Sequence, residues 1–88
     1  MRQLQKYNNQ QVVFKGIATQ KIRSKLSVGI LQCFRNVQII VDDLVFTFNH
    51  LYIELPSTYE AGTEIENVGT VFKYRNYRTK DKNYTVKL

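Results

Sequence analysis

The residues best suited to chemistry form one run, from Phe72 to Lys82, which holds three aromatic rings and five cations in eleven residues. Cations in such a run neutralise phosphates and release their counterions. Rings stack on bases, at about 1–3 kcal/mol per base whatever the base's identity. The run is suited to holding a flexible, flat-faced polyanion, and nothing in it breaks bonds. A second basic cluster, Lys21, Arg23 and Lys25, lies some fifty residues upstream.

Residues that serve catalysis or metal binding are sparse. His50 is the only histidine and Cys33 the only cysteine. Neither has a partner at metal-ligand spacing, so no metal site is expected. Cys33 sits in an apolar run that favours a buried, reduced thiol. Ser24, Ser27 and Ser57 carry no nucleophile signature, and the four glycines are scattered, with no phosphate-cradling loop. These absences point away from an enzyme and from any cofactor.

The charges are sorted along the chain. Residues 1–41 carry seven Lys/Arg and no acid, residues 42–66 carry six acids and no Lys/Arg, and residues 67–88 carry six Lys/Arg against Asp81 alone. The net charge is +6. A positive face built from both ends of the chain would attract nucleic acid first, with acidic protein and anionic membrane behind it. The acidic middle reads either as charge balance on the far side or as a negative face for self-association. The absence of a leader-like or membrane-spanning apolar run suggests a cytoplasmic location and no membrane partner.

Positioning these residues falls to β-structure, because Val, Ile, Phe, Tyr and Thr recur and helical periodicity is missing. Residues 1–9 read as a polar tail or a short helix, and residues 10–88 as a single β-barrel domain. Strands are expected at 11–19, 28–41, 44–55, 64–74 and 84–88, with 20–26 as strand end or loop. Gly16 suggests a bulge or bend. In the second strand Leu31, Cys33, Val37 and Ile39 share one parity and read as buried; Gln32, Phe34, Asn36 and Gln38 share the other and read as wet. Asp42-Asp43 makes a turn. The third strand carries two apolar sets, which requires either two covered faces or a change of phase near Asn49. Phe14, Phe46 and Phe72 read as core.

The resulting fold is all-β, a five-stranded OB-like Greek-key barrel, with an SH3-like barrel as the alternative. Several short pieces carry a resemblance: Cys33-Phe34-Arg35-Asn36-Val37, Asn49-His50-Leu51-Tyr52, Gly62-Thr63-Glu64-Ile65 and Val71-Phe72-Lys73-Tyr74. Together they resemble small OB-fold proteins of phages and mobile elements of Gram-positive bacteria. The chain departs from that pattern at Asn49, where an acid is common, and at Tyr52, where Trp is common. The resemblance implies the fold and a phage or mobile-element setting.

On an OB plan the ligand crosses strands two and three between the loops after strands one and four. That places Lys21, Arg23 and Lys25 on one flank, and Lys73, Tyr74, Arg75, Tyr77, Arg78, Lys80 and Lys82 on the other. Phe34, Arg35 and Tyr52 would floor the groove. The expected activity is non-enzymatic binding of single-stranded nucleic acid, DNA before RNA, with little sequence preference. The alternative is a small regulator or inhibitor that engages a host or plasmid protein through the basic face. Either could act as a homo-oligomer.

Overall fold

The computed structural model describes residues 2–25, 29–75 and 82–88. The chain forms a 3₁₀ helix, Arg2–Tyr7, followed by β1 (Gln11–Lys25), β2 (Gly29–Val41), β3 (Leu44–Leu55), β4 (Glu64–Arg75) and β5 (Lys82–Lys87). The strands close in the order β1-β2-β3-β5-β4. This is a five-stranded OB-like Greek-key barrel, as the strand pattern predicted. Residues 20–25 continue β1, where the sequence left strand end or loop open.

A two-residue turn sets the register of β2 on β3. Asp42 and Asp43 both take left-handed φ, 50° and 64°, which is the primed geometry that suits the right-handed twist of a hairpin. From Val41↔Leu44 the ladder runs to Ile30↔Leu55. Side chains do not alternate evenly along it. Phe34 and Leu51 lie in the core, and so does Val37, whose partner Phe48 packs against it. Between them two consecutive residues on each strand, Arg35-Asn36 and Asn49-His50, are exposed. The inward phase therefore shifts on both strands together, with Asn36 in the left-handed region at φ 52°.

The shift corrects the parity expected from sequence. Phe34 is fully buried and Gln32 is 0% exposed, although both were expected to be wet. Cys33 and Leu31 are buried as expected, but they face the other way and are absent from the core cluster. The phase change near Asn49 is the alternative that holds for β3, since Phe46, Phe48, Leu51, Ile53 and Leu55 all lie in or against the core. Phe72 is a second correction: it is half-buried and not part of that cluster.

On β1 the pairing to β2 is irregular between Lys15 and Ile17, at Gly16. A Cβ at Gly16 would lie 2.9 Å from the Phe14 ring and 3.3 Å from Phe34 Cβ, so the missing side chain is what lets these two rings meet edge to face, 5.2 Å apart. Gly69 has the same use on β4, where a Cβ would lie 3.0 Å from the Lys87 carbonyl oxygen.

Two connections cover the core. The 3₁₀ helix contributes Leu4 and Tyr7, both buried, with Tyr7 edge-on to Phe46 at 5.7 Å. It is tied to β4, because Asn9 N–H donates to Val71 O and Val71 N–H donates to Gln10 O. The 56–63 connection places Tyr59 against Phe34. Buried Gln32 holds it there. Its Nε2 donates to Tyr59 O at 2.8 Å and to Thr19 O at 3.0 Å, and its Oε1 accepts from Tyr59 N–H at 2.9 Å. A buried amide is tolerated when every donor and acceptor is matched in this way.

Two outcomes are expected. Gln32→Leu strands three backbone groups, and at about 1 kcal/mol or more for each it should cost about 3 kcal/mol in urea unfolding and speed hydrogen exchange at the Tyr59 amide. Asp43→Gly relieves a left-handed Asp and should raise stability by up to about 1 kcal/mol; a loss would show that the turn is not of the primed type.

Candidate functional site

With the ladder and its phase known, the outer face of β2 and β3 is a grid of three cross-strand pairs. Leu31 lies beside Glu54, Cys33 beside Tyr52, and Arg35 beside His50. Arg23 of β1 pairs with Leu31 and sets its guanidinium 4.5 Å from the centroid of the Tyr52 ring. Such a stack contributes about 0.5–1 kcal/mol at an exposed site. It also leaves the guanidinium edge open to an acceptor. The half-buried Tyr52 thus offers a ring with a cation already placed over it.

The face continues onto β5 and β4. Thr85 is buried and donates its hydroxyl to Tyr52 O at 2.5 Å. Phe72 is its pairing partner on β4. Among the described residues a single bridge joins β3 to β5, Glu54↔Lys87, where the strands run parallel, and Leu88 N–H donates to Glu54 O at 3.0 Å. The floor is closely covered, with Leu31 7%, Cys33 3% and Glu54 8% exposed.

Glu54 is the acid that the charge layout placed on a floor strand, and it does share the face of Tyr52. Burial raises its carboxyl above the ordinary carboxylate range, and the nearby Lys87 ammonium partly offsets this. The other acids lie elsewhere: Asp42 and Asp43 in the hairpin turn, Glu60 in the 56–63 connection, and Glu64 and Glu66 on β4, where Glu66 is 3.8 Å from Lys15 Nζ.

The residues expected to bind separate into groups. Arg23, Arg35 and Tyr52 come together on this face. Lys21 is exposed on β1 near Arg23, and Lys73 is exposed on β4. The Lys25, Tyr74, Arg75 and Lys82 backbones belong to the strand ends, in the pairs Lys25↔Gly29, Tyr74↔Asn83 and Arg75↔Lys82. Tyr77, Arg78 and Lys80 lie outside the described residues. Phe34 is a correction, because a ring at 0% exposure inside the barrel offers no stacking surface.

Sequence reasoning did not assign Leu31, Cys33, His50 or Thr85 to this face, although it named Glu54 as an acid on a floor strand and Phe72 as the first ring of the basic run. A signal for the first three was present. A two-residue turn at Asp42-Asp43 makes every β2–β3 pair sum to the same number, which puts Cys33 beside Tyr52 and Arg35 beside His50. No comparable local signal marks Thr85.

Among the described residues no cluster of His, Cys, Asp and Glu is placed to hold a metal, and no helix is long and apolar enough to cross a membrane. Comparison with protein-family models, with curated proteins and with solved structures finds no match.

The Glu54 environment sets a pH dependence. The folded state holds this proton more firmly than the unfolded chain, so stability falls as pH rises from the ordinary carboxylate range through the raised value and is level above it. Glu54→Gln should abolish that fall and make the protein more stable than the parent at neutral pH. Urea midpoints measured from mildly acidic to neutral pH check this, and a variant less stable at every pH would refute it.

Proposed function

We propose that this protein binds single-stranded nucleic acid, without enzymatic activity and with little sequence preference, across the outer face of β2 and β3. The observation that carries the proposal is the Arg23–Tyr52 stack on that face. A base laid on a ring with a guanidinium beside it gains stacking and cation–π attraction, neither of which depends on the base's identity. Arg35, exposed on the same face, supplies a cation for the phosphates that follow, and Lys21, exposed two residues before Arg23 on β1, adds another.

The grid supports a defined path. Glu54 repels phosphate, so the phosphodiester backbone belongs along the Lys21–Arg23–Arg35 margin, with the bases turned toward Tyr52. The net charge of +6 adds long-range attraction that raises the association rate. A phage or mobile-element role follows from the sequence resemblance.

Side-by-side salt titrations on labelled single-stranded DNA, single-stranded RNA and duplex DNA test the proposal. Affinity for single strands should exceed that for duplex and fall steeply with salt. Tyr52→Ala should cost about 1–3 kcal/mol of binding with the salt slope unchanged. Arg35→Ala should instead flatten the log–log salt slope by about 0.7. Absence of binding to any of the three at low salt would overturn the proposal.

A further inference from the structure

Among the described residues three polar or charged side chains are buried: Gln32, Glu54 and Thr85. Two of them are matched. Gln32 bonds the backbone of Tyr59 and Thr19, and Thr85 bonds Tyr52 O. Glu54 differs. It is 8% exposed, yet among the described residues its carboxylate accepts no hydrogen bond and makes no salt bridge. Lys87 attracts it without forming an ion pair. No fully enclosed side-chain oxygen among these residues lacks a partner, so the Glu54 oxygens reach the surface. That surface is the outer face, because Leu51, Ile53 and Leu55 take the inward positions of β3.

A carboxylate that only balanced charge would stand at a rim, in water. One with a structural duty would be bonded as Gln32 is. An acid low in the floor, poorly hydrated and without a donor, suits a ligand that brings a donor to it. Burial raises its carboxyl above the ordinary carboxylate range, so the folded chain bears a cost that an incoming N–H relieves. The neighbours give this site its place in the binding path. Arg23, Leu31, Glu54 and Lys87 are successive pairs across β1, β2, β3 and β5. The row carries a cation at each end for phosphates, with the carboxylate between them.

Tyr52 lies two residues before Glu54 on the same face, about 7 Å along the strand. A base stacked at Tyr52 therefore directs an edge toward the carboxylate. That group has two acceptor oxygens and no donor. Guanine alone among the common bases sets two donors side by side on its Watson–Crick edge, N1–H and N2–H. They meet a carboxylate as an arginine fork does. Cytosine and adenine set one amino group beside a ring-nitrogen acceptor, and thymine and uracil set one N–H between two carbonyls. Each of these opposes an acceptor to the second oxygen. We infer that Glu54 determines specificity at one position, accepting from N1–H and N2–H of a guanine stacked at Tyr52. The inference rests on the nucleic-acid reading above, and adds one base preference to a site otherwise tolerant of sequence.

Oligothymidylate probes test it, unsubstituted or carrying one central guanine, inosine, adenine or cytosine. Fluorescence anisotropy at neutral pH and fixed salt gives each affinity. The guanine probe should bind the parent chain about tenfold or more tighter than the unsubstituted one, since both added hydrogen bonds meet a charged acceptor. Inosine keeps N1–H but lacks the N2 amine, and should lose most of that gain. Glu54→Gln, which exchanges one acceptor for a donor, should lose the guanine preference, with urea unfolding to show that the variant is folded. A parent chain that binds oligothymidylate but favours guanine no more than inosine would overturn the inference and leave the proposed function standing. A folded Glu54→Gln variant that still prefers guanine would do the same. No binding of any probe at low salt would overturn both.

Discussion

A paired strand keeps each side chain on its own face only while alternation is unbroken, and a break reassigns every residue beyond it. In this barrel the break falls at matched places on the two central strands, at Arg35-Asn36 and at Asn49-His50. Because both strands shift together, the β2–β3 ladder stays in register while the faces exchange roles. On one side of the break Phe34, Leu51 and Ile53 fill the interior; on the other Val37, Ile39 and Phe48 do. The outer grid exists only because of this exchange. With strict alternation continued from Val37, Cys33 and Leu31 would point inward and Phe34 would be left outside.

Much of the architecture was legible in the sequence. Strand number and approximate extent follow from β-branched and aromatic runs broken by Asp42-Asp43, Pro56 and Gly62, because those residues have local conformational reasons to turn the chain. The face assignment on β2 failed for a physical reason. Parity counted from Val37 and Ile39 carried through Asn36, and a left-handed φ at a non-glycine residue leaves no compositional mark. Gln32 was taken as wet because it is polar. Its burial depends on backbone groups of Tyr59 and Thr19, which only the folded chain brings within reach. Tyr52 and Arg35 were found by residue type, as a ring and a cation on the floor strands, because parity counted from Val37 and Phe48 would have turned both inward. The stack of Arg23 on Tyr52 joins β1 to β3 across β2 and could not be read locally.

The outer face is not uniformly positive, despite what the linear charge blocks suggest. It carries Arg23 and Arg35, but also Glu54, a carboxylate whose burial raises its proton affinity and which has Lys87 as its nearby cation. Such a mixture weakens non-specific attraction at the centre of the face and preserves it at the margin. In the proposed binding mode it would orient a polyanion at some cost in raw affinity, because a negative centre disfavours the most highly charged part of the ligand.

The seam at Glu54↔Lys87 also bears on how the chain reaches this structure. The β1, β2 and β3 hairpins are contiguous in sequence, and their ladders form by zipping outward from short connections. The seam joins residues thirty-three positions apart through parallel pairing, and Asn9 and Gln10 are bonded to Val71 across more than sixty residues. Ordering that much intervening chain before any contact rewards it makes these the slow steps. By contact order the three-stranded meander is expected to form first, with Leu31 and Cys33 on one face and the future core on the other. The barrel is then expected to be completed when β4 and β5 pair with it and Tyr7 of the N-terminal helix packs on Phe46. A folding intermediate of this protein would be an open, curved sheet with its apolar inner surface exposed to water.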